Sequence, residues 1–173
     1  MLVERGVGAF TVDEVTARAK VAKGTFYLYF QSKDDVLAAL RDRFLDGLIA
    51  TQRAELDELP EGDWLRRLEL WMEISIRGYL ARVSLHDALF MHANAEARGP
   101  VHPANTHLES LLEILQGGCA AGAFTIDSPN AAAVLLYAAM HGAADYLIDN
   151  PDAMAVDELV AESVLLCRRL AVR

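Results

Sequence analysis

The sequence predicts an all-α protein in two parts, an N-terminal helix-turn-helix head joined to a C-terminal helical bundle. Three observations lead there. Apolar residues recur with a 3.6-residue period in nearly every segment. No alternating run of β-branched residues lies between hairpin signals. Glycines, prolines and capping residues divide the 173 residues into pieces of helical length, together long enough for a sizeable core.

Met1–Arg5 reads as the last turn of a helix, stopped by Gly6 and Gly8. Thr11 and Glu14 form a capping box, in which the Thr11 hydroxyl accepts from the Glu14 N–H and the Glu14 carboxylate reaches back. A short helix therefore starts at Val12 and runs to about Ala19, with Val12, Val15 and Ala19 inward. After a turn at Lys20–Ala22, a second covers about Lys23–Tyr29. Ser32, followed by Asp34 and Asp35, caps a long helix from Lys33 to about Glu55. Pro60–Gly62 breaks the chain, and Asp63 caps a helix over about Trp64–Ser84. Further helices are expected over about His86–Arg98 and Ala104–Gln116, the latter ended by Gly117–Gly118. Ser128 followed by Pro129 opens a helix that Asn150 and Pro151 close, and the last covers about Val156–Ala171. The expected domains are 1–45 and 46–173.

A formal net charge of −9 argues at first against a polyanionic partner. Its distribution reverses the argument: residues 1–33 carry five basic and three acidic side chains, a local +2, and leave −11 for the remainder. Phosphate binding needs local positive charge, while an acidic body stays off the duplex. MLVERG has no apolar signal region, and no segment reads as a membrane span, so the expectation is a cytoplasmic protein with no membrane partner. Cys119 and Cys167 lack metal-type spacing and read as free, packed thiols. His86, His92, His102 and His107 form no compact ligand pattern, so neither metal nor cofactor is expected.

Two short helices joined by a three-residue turn make a helix-turn-helix, whose second helix enters the major groove. The string Thr11-Val-Asp-Glu-Val-Thr-Ala-Arg-Ala-Lys-Val-Ala-Lys-Gly-Thr-Phe-Tyr-Leu-Tyr-Phe30, followed by Gln31-Ser-Lys-Asp34, resembles the DNA-binding segment of the TetR (tetracycline repressor-like) family. The resemblance covers about residues 4–40. It departs from the family pattern at Lys20, where a turn glycine is usual, and at Ala22, where a Ser cap is common. A left-handed lysine costs about 1 kcal/mol, and a missing cap costs about the same.

The residue chemistry fits a DNA reader. Gly24 has no side chain, so the start of the second helix can approach the duplex and offer backbone N–H groups to phosphate. Lys23 can donate to guanine and the Thr25 methyl can meet thymine, which makes these two the specificity candidates. Tyr27 and Tyr29 point away from Phe26 and Phe30 and offer hydroxyls to phosphate or base. Lys33 is placed for a phosphate, and Thr11 serves as cap and phosphate donor. The family carries a full helix before this motif, and only Met1–Arg5 of it stands here. The reading is that the natural start lies upstream of Met1.

For the body, the resemblance implies a TetR-like bundle that binds a small-molecule effector and forms a homodimer through its last two long helices. The dimer's paired heads would read a palindromic operator in double-stranded DNA, as a repressor released by the effector. Ala131, Ala132, Ala138, Ala139, Gly142 and Ala143 suit close helix approach, and Leu159, Val160, Val164, Leu166 and Leu170 supply apolar area. Trp71, Tyr79, Phe90, Met91, Tyr137 and His141 are the effector-site candidates, with Trp64 and Met72 beside them. His141 and Asp145, four apart, are placed to pair. No nucleophile accompanies them, so an enzyme is not expected. The alternative function is a helical small-molecule-binding or interaction protein whose short N-terminus has weakened its DNA binding.

Overall fold

The computed structural model describes residues 11–81 and 106–172, apart from the side chains of Leu45 and Thr106. The expectations for Met1–Arg5, the helix at 86–98, Phe90 and Met91 lie outside the described residues. The described residues form seven helices and no strand: α1 (Val12–Ala19), α2 (Lys23–Tyr29), α3 (Lys33–Asp57), α4 (Trp64–Ala81), α5 (Thr106–Ala120), α6 (Pro129–Asp149) and α7 (Val156–Ala171). Two compact units divide within α3, between Gly47 and Leu48.

In the head, the expected capping box forms. The Glu14 N–H donates to Thr11 Oγ1 at 3.2 Å, and the Thr11 N–H donates to Glu14 Oε2 at 2.8 Å. The inward face of α1 differs from expectation. Ala19 is exposed, Val12 and Val15 are half-buried, and Thr16 is buried. Its hydroxyl donates back to the carbonyls of Val12 and Asp13 at 3.0 and 3.1 Å, so a polar residue enters the interior with its hydrogen bond made. Lys20 caps α1 in the left-handed region, at φ 56°, with its N–H on Ala17. The turn keeps its form, and the lysine bears the backbone strain that a glycine would avoid. Ala22 caps α2 with no side-chain hydrogen bond. Phe26 is buried and Phe30 half-buried, their rings 5.6 Å apart.

The body is assembled around α4, which packs against α5, α6 and α7. Its inner face presents Leu68, Trp71, Met72 and Ile76, none exposed to solvent. They meet Leu111 and Leu115 of α5, Leu136 and Met140 of α6, Val160 and Cys167 of α7, and Leu56 from the end of α3. Burying each such side chain stabilises by about 1.5–3 kcal/mol. Glu69, 4% exposed, pairs with Arg168 of α7 and with Arg66 one turn before it, so its buried charge is compensated. Cys167 is buried, Cys119 half-buried, and both thiols are free.

Gly117 and Gly118 do not end α5, which continues to Ala120. They are interior glycines because two rings occupy the space a Cβ would need: Trp64 lies over Gly117 and Phe124 over Gly118. The chain turns only at Gly122, at φ 71°. Helix α6 begins as expected, with Ser128 Oγ accepting from the Ala131 N–H at 3.3 Å and Pro129 at the first position. Against expectation, α6 is long and apolar enough to cross a membrane by length and composition alone. Its inner face, including Ala132, Leu136 and Met140, belongs to the body's core.

Helix propensity alone would make Gly118→Ala stabilising, by up to about 1 kcal/mol. Contact with the buried Phe124 ring reverses the sign, and a loss of about 1–3 kcal/mol is expected from overpacking. Urea denaturation of the variant measures it.

Candidate functional sites

The head offers one continuous exposed surface from α2. Lys23, Gly24, Tyr27, Leu28 and Tyr29 are all exposed, Tyr27 at 53%, Leu28 at 82% and Tyr29 at 79%, while Phe26 anchors the opposite face. Thr25 and Lys33 are half-buried. A Cβ at Gly24 would meet nothing within 4 Å, so packing within the protein does not demand glycine there. Thr11 is occupied by its capping role, its hydroxyl lying 3.2 Å from Glu14 Oε2. Lys23 Nζ pairs with Asp13 Oδ1 at 2.7 Å, and that hydrogen bond raises the ammonium's pKa. Both partners are well exposed, so the pair is weak and salt-sensitive, and a duplex can compete for the lysine.

In the body, the sequence candidates separate. Trp71 is fully buried, whereas Tyr79, Tyr137 and His141 are half-buried. Trp71 and His107 have ring centroids 4.6 Å apart, His107 and Tyr137 5.9 Å, Tyr137 and His141 4.4 Å, and His141 and Tyr79 5.4 Å. The expected His141–Asp145 pair does not form. Asp145 Oδ1 accepts from the Tyr79 hydroxyl at 2.7 Å, and His141 Nδ1–H donates to the Tyr137 carbonyl at 3.1 Å. Both groups find better-placed partners than each other.

A polar cluster lies at the buried end of this series of rings. Gln52 of α3, 2% exposed, donates through Nε2 to the Trp71 carbonyl at 3.2 Å and to Ser75 Oγ at 2.9 Å. Ser75 Oγ–H donates to the same carbonyl, so His107 Nε2, 3.0 Å from Ser75 Oγ, must be the donor in that contact. A carbonyl only accepts, which fixes the Gln52 amide with Nε2 toward Trp71 and Oε1 away from it. Gln52 Oε1 and Trp71 Nε1 are then buried without hydrogen-bond partners. Each such atom, left unpaired, costs about 1–3 kcal/mol.

Burial, and secondarily the charge of His141, pushes His107 down to about 4. The imidazole is therefore neutral at physiological pH. Burial, reinforced by Glu69, pushes the Cys167 thiol up to about 12, which keeps it inert.

The sequence pattern that defines "Bacterial regulatory proteins, tetR family" matches residues 1–40. Over those residues the chain is similar to the regulators of the TetR family. No curated protein sequence matches it. Among solved structures it is similar to the transcriptional regulator FadR from Bacillus subtilis in complex with stearoyl-CoA, at TM-score 0.79 and 19% identity over 99% of this chain and 94% of that one. The fatty acid degradation regulator FadR from Bacillus halodurans gives 0.78 and 20%, covering 96% and 87%. The TetR family regulator PfmR from Thermus thermophilus gives 0.70 and 22%, covering 99% and 94%. At these identities the likeness establishes a TetR fold. The family comprises regulators rather than enzymes.

Four residues of interest were not among the site candidates read from the sequence: Leu28, Gln52, Ser75 and His107, the last weighed there only as a metal ligand. A signal existed for three of them. Gln52 stands four before the core residue Leu56, Ser75 one turn after Trp71, and His107 one turn before Leu111, each polar at a position where the helical period calls for an apolar side chain. Leu28 carries the reverse signal, an apolar residue on a polar face.

Two outcomes follow from this geometry. Gly24→Ala is expected to raise the melting temperature slightly, through up to about 1 kcal/mol of helix propensity, while weakening operator binding about tenfold or more in a gel-shift titration. His107 binds its proton more weakly folded, at about 4, than unfolded, at the ordinary histidine value of 6.5. Its contribution is present above the unfolded value and lost as pH falls from there toward about 4, amounting to roughly 3 kcal/mol. His107→Gln should flatten this acid limb in a series of urea unfolding curves.

Proposed function

We propose that this chain is a sequence-specific DNA-binding transcriptional repressor, acting as a cytoplasmic homodimer on a palindromic operator and released by a small-molecule effector. The observation that carries the reading is the α1–α2 unit: a capped first helix, a left-handed turn at Lys20, and a second helix that buries Phe26 and exposes Lys23, Gly24, Tyr27 and Tyr29. Lys23 and Thr25 read bases, Gly24 admits the phosphate backbone, and Thr11, Tyr27, Tyr29 and Lys33 contact phosphates. Relatives of the same fold point the same way. One was solved with stearoyl-CoA, and SmeT with triclosan, at TM-score 0.72 and 19% identity over 99% of this chain and 86% of that one.

The outer faces of the last two helices support the dimer. On α6, Ala131, Val134, Leu135, Ala138, Gly142 and Tyr146 are exposed at helical spacing, and a Cβ at Gly142 would meet nothing within 4 Å. Val156 and Leu166 of α7 add exposed apolar area. A second copy covers this stripe in the proposed dimer. Helix α3 is the proposed lever: it belongs to both units, so a turn imposed at Gln52 or Leu56 is carried along a continuous helix to its head-side half. To switch repression the effector must favour the non-binding arrangement by several kcal/mol. A binding module without DNA recognition is not favoured, given the intact α1–α2 unit. An enzyme is not favoured either, since Asp145 and His141 are engaged with Tyr79 and the Tyr137 carbonyl.

Selection of bound sequences from random DNA tests the reading, and an enriched palindrome is expected. Against that operator, Lys23→Ala and Thr25→Ala should relax preference at one or two base pairs. Lys33→Ala should weaken all sequences alike and lower the salt slope by about 1. Leu135→Glu should sediment as a monomer and lose the operator. No enrichment, or equal effects from all the lysine and threonine variants, overturns it.

A further inference from the structure

We propose that Gln52 and Trp71 form the polar anchor of the effector site, and that the effector is an uncharged apolar molecule bearing a hydroxyl or carboxamide. This inference rests on the regulator reading and adds the chemistry of the ligand.

Gln52 commits both Nε2 hydrogens to the Trp71 carbonyl and Ser75 Oγ, leaving Oε1 as a buried acceptor without a partner. Trp71 has a single polar side-chain atom, the donor Nε1–H, and it too is buried and unpartnered. The two residues are bonded to each other through the Trp71 carbonyl, so the lone acceptor and the lone donor belong to directly bonded residues. Native interiors rarely leave such groups unpaired, and a ligand group that both donates and accepts satisfies them together.

The surroundings select against charge. Ser75 and His107 complete the cluster, and neither offers a countercharge. Ser75 is neutral, and burial holds His107 in its neutral form. A carboxylate or ammonium would lose its hydration here with no opposite charge in return. His107, Tyr137 and His141, all half-buried, continue the ring series from Trp71 with successive centroids 4.6, 5.9 and 4.4 Å apart, and supply apolar area beside the polar cluster. Gln52 lies on α3, which belongs to both units. A ligand held by Gln52 therefore acts on the helix that continues into the head.

Calorimetric titration of the full chain, without DNA, tests the proposal with four probes: 4-butylphenol, 4-butylbenzamide, 4-butylanisole and 4-butylbenzoate. The phenol or the benzamide should bind, and whichever binds names the preferred group. The anisole, which cannot donate, and the benzoate, which is charged, should bind at least about tenfold more weakly. Gln52→Leu removes the acceptor and should weaken the phenol or benzamide about tenfold while leaving the anisole, which cannot donate, nearly unchanged; Trp71→Phe keeps an aromatic ring, removes the donor, and should weaken the phenol or benzamide about tenfold. Equal affinities for phenol and anisole, a preference for benzoate, no binding by any neutral probe, or unaltered affinities in Trp71→Phe each overturn the proposal. The four-probe comparison on the unaltered protein decides even if the variants do not fold. Failure to recover an operator overturns the regulator reading alone. Release of operator by a charged compound, with the neutral probes inactive, overturns this inference alone.

Discussion

Much of the body depends on the burial of one helical face. Trp71 sits on the inner side of α4 with Leu68, Met72 and Ile76, and three other helices pack against that side. The indole supplies a large apolar area, but it carries an N–H that the same burial strips of water. The polar side chains nearby meet the Trp71 carbonyl and leave that N–H unpartnered. Ser75 and Gln52 crowd onto the Trp71 carbonyl, and His107 joins them from α5 in its neutral form. A core that tolerates glutamine, serine and histidine beside a tryptophan gives up stability for polarity at one place.

The second constraint concerns close approach. Trp64 and Phe124 lie against the backbone of α5 at Gly117 and Gly118, and no larger residue leaves room for them. Glu69 joins α4 to α7 through Arg168, with Arg66 holding the same carboxylate from one turn away. These contacts tie α4 to α5 and α7. Toward the end of α4, Tyr79 is half-buried and its hydroxyl donates to Asp145.

The head is held together differently. Its first helix is tightly capped by Thr11 and Glu14, but the turn holds a left-handed lysine and the reading helix starts at an alanine without a side-chain cap. Together these choices cost about 2 kcal/mol relative to the glycine and serine that the turn would favour. The exposed side chains of α2 do little for the protein's own packing. They are the side chains proposed above to meet the duplex, and Lys23 pairs with Asp13.

By itself the sequence determined the local structure: the capping box at Thr11, the start of α6 at Ser128 and Pro129, its stop at Asn150, and the short helix pair with its turn. Those signals are legible because the hydrogen bonds behind them link residues three or four apart. The resemblance of the string to the TetR family added an expected function to the helix pair. Only the tertiary structure decided that Gly117 and Gly118 lie inside a helix, that Thr16 rather than Ala19 turns inward, that Asp145 pairs with Tyr79, and that Gln52 meets Trp71, Ser75 and His107. A glycine that breaks a helix and one that admits a neighbouring ring look alike in sequence. Likewise, residues 52 and 107 become neighbours only when helix faces choose their partners, and that choice is made by packing across the whole body rather than by any local preference.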